Sequence, residues 1–239
     1  MIVPISTTGN YRNLVVDKRN KIIYCKIAKV GTTVWKNIML FTNGRLKVNS
    51  LSIVKGHDAP NVHTIAARYF KSLGSFSKEE QKEITSTYFK FLFVRHPLER
   101  LLSAYLDKVK NPWLRKGIAK YFKRDYQKEY KPSFKEFVEY SIPKNNNHWN
   151  IYNNMCHPCE INYDFIGKYG GTIENDFELV QDHFKLDPKL KNTTVYPRTY
   201  SSEKMKSYYK DIPQTLLNKI HKKYKDDFIL FNYEFNPSF

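Results

Sequence analysis

Two stretches of this chain alternate apolar strand-like runs with helical spacing. In the first, Ile22-Ile23-Tyr24-Cys25-Lys26-Ile27 is a β-branched and aromatic run that breaks at Gly31, after which Val34, Ile38 and Met39 recur at helical spacing. In the second, Tyr88-Phe89-Lys90-Phe91-Leu92-Phe93-Val94 is nearly continuous in apolar residues, as suits a strand buried on both faces. It stops at Arg95. Pro97 then fixes φ at a first helical position, Glu99 suits the positive end of the helix dipole, and Leu98, Leu101, Leu102 and Tyr105 line one face. Both stretches predict strand, tight turn, helix.

The rest of the pattern is weaker. Residues 42 to 63 are polar, with Gly44, Gly56 and Pro60, and read as an irregular connection. Ser77-Lys78-Glu79-Glu80 and Ser133-Phe134-Lys135-Glu136 each have the form of a capping box. They predict one helix through about residue 87 and a second, short one with Phe134, Phe137 and Val138 inward. Lys108 to Lys131 is lysine-rich with scattered aromatics and reads as an irregular helical insertion or a basic loop. Tyr163 to Gly167 predicts a third strand, followed by Gly170-Gly171 and a helix from about Thr172 to Phe184. A last helix starts near Pro213, turns Leu216, Leu217, Ile220 and Tyr224 inward, and hands over to the apolar run Phe228 to Phe231. Strands alternating with helices predict an α/β fold, a mostly parallel central sheet flanked by helices. A length of 239 residues suits one such domain, residues 1–239.

Composition agrees, with 41% hydrophobic and 15% aromatic residues, enough to build a core. Charge adds something new: 40 Lys and Arg against 23 Asp and Glu leave +17, a field that draws polyanions. Nucleic acid, anionic glycans and phosphorylated cofactors all qualify. No run of about 18 apolar residues exists, so no membrane anchor is expected in this chain and it reads as soluble as given. Of three cysteines, at least one must stay unpaired within a monomer. Cys156 and Cys159 have the spacing of a redox pair or half a zinc site, for which His148, His157 and Cys25 are available. A structural disulfide or two quiet thiols are the preferred readings. Asn192-Thr193-Thr194 is a glycosylation sequon, usable only in a secretory compartment.

Two positions carry candidate chemistry. Between the first strand and helix stands Lys29-Val30-Gly31-Thr32-Thr33, where Gly31 lets the backbone approach an anion and Lys29 adds full charge. The N–H groups of Thr32 to Trp35 are expected to stand unpaired at the helix start. The nucleotide-triphosphatase spacing G-x-x-x-x-G-K-[ST] occurs nowhere. The second position is Arg95 at the mouth of the buried strand, with Ser103 two turns into the next helix; an arginine fork grips a phosphate at two points, and a hydroxyl completes the shell. Ligands of open α/β sheets bind beyond the carboxyl ends of strands, where both positions fall. A ligand with two separated anionic groups suits them.

The segments Tyr24 to Lys36 and Phe91 to Tyr105 resemble the two motifs that bind 3′-phosphoadenosine 5′-phosphosulfate (PAPS) in the Golgi carbohydrate sulfotransferases, the group of the chondroitin and dermatan 4-O-sulfotransferases and the HNK-1 sulfotransferase. His148-Trp149, Cys156-His157-Pro158-Cys159, Tyr163 to Tyr169 and Phe228 to Tyr233 follow in the same order as landmarks of that family. The resemblance implies a P-loop-like PAPS-dependent sulfotransferase fold with its binding core at about residues 20–110. It implies transfer of a sulfuryl group to a hydroxyl of a glycan, such as the glycosaminoglycans chondroitin or dermatan. The implied product is 3′-phosphoadenosine 5′-phosphate, the setting is the Golgi lumen, and no metal is needed.

By the same resemblance Lys29, Val30, Gly31, Thr32, Thr33 and Val34 hold the 5′-phosphosulfate, and Arg95 and Ser103 hold the 3′-phosphate. Ala28 stands where the family usually has Pro, and Thr32-Thr33-Val34 where it has Cys-Thr-Asn. In-line displacement at sulfur needs Lys29 against the charge of the leaving oxygen and a base for the attacking hydroxyl. His57, in Val54-Lys55-Gly56-His57, is the first choice of base and His148 the second. Two other classes compete. A P-loop-like phosphotransferase would need the missing Gly-Lys-Ser/Thr signature, and a nucleic-acid-binding module would use Trp113, Tyr121, Phe122, Tyr126 and Tyr130 among the lysines. No familiar nucleic-acid motif accompanies those aromatics, so no nucleic-acid partner is expected.

Overall fold

A computed structural model describes residues 11–46, 62–169, 173–185 and 201–236. They form two compact units, Met1–Arg95 with Tyr152–Arg198, and His96–Ile151 with Thr199–Phe239.

The first unit is α/β. Its strands β1 (Leu14–Asp17), β2 (Ile22–Cys25), β3 (Phe89–Arg95) and β4 (Phe165–Tyr169) form one mixed sheet in that order. β1 runs antiparallel to β2, while β2, β3 and β4 are mutually parallel, with Cys25 opposite Leu92 and Arg95 opposite Tyr169. Helices α1 (Thr32–Thr42), α2 (Val62–Tyr69), α3 (Lys78–Thr87), α7 (Tyr152–Cys156) and α8 (Ile173–His183) belong to the same unit. The mostly parallel sheet is thus as expected, with an antiparallel edge strand that the sequence pattern did not reveal. β1 is short, and its four residues are all buried, so it offers no alternation to read.

Aromatic packing anchors α1 to the sheet. Trp35 is fully buried, its ring 4.9 Å from Phe91 and 5.1 Å from Phe93, and Tyr24 stacks on Phe91 at 4.9 Å. Gly167 leaves room for Phe93 across the β3–β4 pair; a Cβ there would lie 2.3 Å from its ring. The third expected strand lies two residues later than its pattern suggested. Asp164 explains the offset, because its carboxylate accepts from the Lys90 amide at 2.7 Å and its own amide donates to the Lys90 carbonyl at 2.9 Å. Tyr163 and Asp164 therefore make the entry to β4. Of the irregular connection, residues 47–61 lie outside the described residues.

The second unit is helical: α4 (Pro97–Lys108), α5 (Pro112–Tyr121), α6 (Phe134–Ser141), α9 (Ser201–Tyr209) and α10 (Gln214–Leu230). They enclose Leu98, Leu101, Leu102, Phe137, Trp149, Tyr209, Ile220 and Tyr224. Both capping boxes are present, on α3 and α6. The basic segment contains a real helix, α5, started by Asn111 and burying Leu114, Ile118 and Ala119. The run Phe228 to Phe231 is not a separate element: α10 continues through Leu230, leaving Ile229 66% and Leu230 44% exposed.

Among the described residues no helix is long and apolar enough to cross a membrane. Nor does any group of three or more His, Cys, Asp or Glu among them stand where it could hold a metal ion.

Candidate functional site

In a parallel pair, whatever follows each strand emerges at the same sheet edge. Lys29 to Val34 follow β2 and Arg95 ends β3, so the register that sets Cys25 against Leu92 brings both candidate positions to one edge of the first unit. The loop has an unusual backbone. Lys29 has φ 74° and Gly31 has φ 80°, a left-handed conformation that costs a non-glycine residue about 1–2 kcal/mol.

Side chains hold this shape. The Thr32 hydroxyl donates to the Ile27 carbonyl, closing the loop on itself, and the Tyr24 hydroxyl donates to Thr32 Oγ1 at 3.4 Å. Burial pushes the Tyr24 phenol well up, so it keeps the proton it donates. Val30 and Val34 are buried, which leaves only their backbone for a ligand. Gly31 caps α1 without a side-chain hydrogen bond, and no acidic residue stands in the first turn. The Trp35 amide is already bonded to the Gly31 carbonyl at 3.2 Å, so the donors of the helix start are Thr32, Thr33 and Val34, one fewer than the sequence suggested. An uncapped helix start beside a lysine is a donor set for an anion.

Arg95 is 1% exposed, with its guanidinium over the Tyr169 ring at 5.3 Å. The Tyr152 hydroxyl, 0% exposed, bonds both its amide and its carbonyl. Two further residues near this edge had no role assigned from the sequence. Lys36, on α1, lies with Nζ 2.9 Å from Nδ1 of His63 on α2. Burial first, and Lys26 second, bring Lys36 down to about 8, and burial and then Arg12 also lower Lys26. Both lysines fall inside the motif-like segment Tyr24 to Lys36, but nothing in it assigned either a role; the spacing of Lys36 from Val34 and Ile38 assigns it to a helix but not to a face.

The remaining candidates fall outside the described part of the first unit. His57 falls outside the described residues. Ser103, 7% exposed on α4, and His148 belong to the second unit. His148 is half-buried in a turn where its amide donates to Asn146 Oδ1 at 3.0 Å. Cys156 is bonded to Cys25, not to Cys159, which is free and exposed. The pairing, open at the level of sequence, is set by the fold: β2 and α7 bring Cys25 and Cys156 to a Cα separation of 5.8 Å. Of the aromatics in the basic segment, Phe122 and Tyr130 pack against the second unit's core, while Trp113 and Tyr121 are each 44% exposed.

Comparison with known proteins puts this geometry in context. Residues 12–234 match the model of the sulfotransferase family. The chain is 31% identical over 249 residues to carbohydrate sulfotransferase 11 of Mus musculus, covering 96% of this chain and 69% of that protein. It is 32% identical over 258 residues to carbohydrate sulfotransferase 10 of Homo sapiens, covering 99% and 70%. No solved structure matches significantly.

Proposed function

From the premise that this chain belongs to the sulfotransferase family and is a carbohydrate sulfotransferase, we propose that it transfers the sulfuryl group of PAPS to a hydroxyl of a glycosaminoglycan such as chondroitin or dermatan. The observation that carries this reading is the shared sheet edge. There the left-handed Lys29–Gly31 loop and the buried Arg95 are a cationic donor set that fits a nucleotide with anionic groups at two ends.

Lys29 and the backbone of Val30, Gly31, Thr32, Thr33 and Val34 would hold the 5′-phosphosulfate, and Arg95 and Ser103 the 3′-phosphate. Bound PAPS supplies the sulfuryl group and carries away the charge of its broken bond as 3′-phosphoadenosine 5′-phosphate. Lys29 and the amides of Thr32 and Thr33 stabilise that charge where it develops; a donor so placed is worth about 10²–10³ in rate. A histidine takes the proton of the attacking hydroxyl, with His57 and His148 both proposed for that role. The scheme needs no metal.

A Golgi lumen setting is supported by the Cys25–Cys156 disulfide, since such bonds persist in oxidising compartments. Asn192 would then be a glycosylation site, making the protein a glycoprotein. The test is sulfuryl transfer from radiolabelled PAPS to native and desulfated glycosaminoglycans, beside calorimetry with adenosine 3′,5′-bisphosphate. Incorporation into a chondroitin or dermatan acceptor and tight bisphosphate binding are expected. Binding of ATP with Mg²⁺ in preference to the bisphosphate would overturn the reading.

A further inference from the structure

The second unit contains a cavity of about 530 Å³, lined by none of the residues given a role in the chemistry above. That size lies within the range of about 300–1,000 Å³ usual for small-ligand sites. α5 contributes Tyr121, α6 contributes Lys135 and Glu139 one turn apart, and the start of α10 contributes Thr215, Leu216 and Lys219. The Tyr121 ring is 44% exposed and meets Phe122 and Tyr140 edge to face at 5.1 and 5.7 Å. Ile142 and Pro143 complete the apolar part of the wall. Lys223, one turn beyond Lys219, fixes that part, because its ammonium donates to the carbonyls of Ser141, Ile142 and Lys144.

The lining decides what fits. A lipid chain or an apolar helix would leave Lys135 and Lys219 without an anion, and a bare phosphate would leave Tyr121, Ile142 and Leu216 facing water. A sugar ring with a carboxylate or sulfate answers both, since its C–H face packs on an aromatic ring while its charged group meets an ammonium. Charge also favours an anion, with two lysines against one carboxylate at the cavity and +17 over the whole chain. Lys135 and Glu139 stand 3.9 Å apart with solvent-accessible side chains. Such a pair contributes little in water, so Lys135 turns to an incoming anion at small cost.

We propose that this cavity is an anchoring site for an acidic glycan, holding a uronate- or sulfate-bearing disaccharide of the acceptor chain with Lys135 and Lys219 on its anionic groups and Tyr121 against a sugar ring. The choice of a glycan rests on the sulfotransferase reading above. No bond is made or broken in the cavity. A chain held there is tethered to the enzyme, which raises the effective concentration of its remaining sugars.

Calorimetry and hydrogen exchange on the full chain test this, with a chondroitin sulfate tetrasaccharide as probe and adenosine 3′,5′-bisphosphate as a separate titrant. The tetrasaccharide is expected to protect amides of residues 139–142 and 214–219. Lys135→Glu combined with Lys219→Glu is expected to weaken tetrasaccharide binding about tenfold, and Lys135→Arg combined with Lys219→Arg to retain it. Bisphosphate affinity should stay unchanged in both, which also reports that they fold. Lys82→Glu combined with Lys225→Glu makes the same change in net charge at exposed lysines outside the cavity and is expected to weaken tetrasaccharide binding about twofold at most. An equal loss in that control, or no protection in either segment, overturns the proposal. So does a single-stranded DNA of matching charge that protects the same segments and binds as tightly, because the cavity would then hold any polyanion. Wild-type protein that binds no bisphosphate would overturn the sulfotransferase reading instead, while protection by the tetrasaccharide is read independently of it.

Discussion

The Tyr152 hydroxyl accepts a hydrogen bond from the Arg95 amide at 2.8 Å and donates one to the Arg95 carbonyl at 3.0 Å. Both residues are buried, so a side chain 57 residues away fixes the backbone at the end of β3. Replacing Tyr152 by Phe removes both bonds without changing the ring. The expected cost is about 1–3 kcal/mol in urea unfolding, with adenosine 3′,5′-bisphosphate affinity weakened severalfold because Arg95 loses its support. Unchanged affinity would mean that Arg95 does not meet the nucleotide.

At Lys29 charge and backbone strain separate. Its φ of 74° suits glycine better than any residue with a Cβ. Lys29→Ala and Lys29→Gly should both lower kcat by about 10²–10³, yet Lys29→Gly should melt at a higher temperature than Lys29→Ala. Calorimetry of the two variants checks this; equal melting temperatures would show that the loop relaxes once the charge is gone.

That loop was legible in the sequence because Gly31 and the change from strand to helical periodicity announce it locally. β3 and Arg95 were equally plain, since a continuous apolar run ending in arginine has few other readings. β1 was not, because four buried residues carry no period. The Lys36–His63 contact is a product of packing between two helices, and no pattern along the chain encodes a 2.9 Å approach across 27 residues. The disulfide was illegible for the same reason: three cysteines leave the pairing open along the chain, and the fold brings Cys25 to Cys156 from 131 residues away.

The cysteines give a simple count. Native protein should present one thiol to an aromatic disulfide reagent, and Cys159→Ser none. A bond closing a loop of this length restricts the unfolded chain strongly, so the Cys25→Ser, Cys156→Ser double variant should lose about 4–5 kcal/mol of unfolding free energy. Cys159→Ser should lose almost none. Two reactive thiols in the Cys25→Ser variant under oxidising conditions, rather than a new Cys156–Cys159 bond, would show that the Cys-x-x-Cys segment cannot close on itself.

Lys223 offers a test of the second unit by pH. Its Nζ donates to the carbonyls of Ser141, Ile142 and Lys144 at 2.8, 2.9 and 3.0 Å, closing the end of α6. Burial first, then Arg100, bring it down to about 8, against the opposing pull of Asp227. In the unfolded chain a lysine titrates near 10.4. Between about pH 8 and that value the unfolded state therefore binds more protons than the folded one, and stability rises with pH. Lys36 acts in the same direction in the first unit. The urea midpoint should thus be higher at pH 9.5 than at pH 7.5. Lys223→Met removes the donor from three carbonyls and should lower the midpoint at pH 7.5 by about 1–3 kcal/mol in free energy. It should also make the rise with pH shallower. A slope identical to wild type would show that Lys223 keeps its proton across this range, with its three carbonyl bonds outweighing the effect of burial.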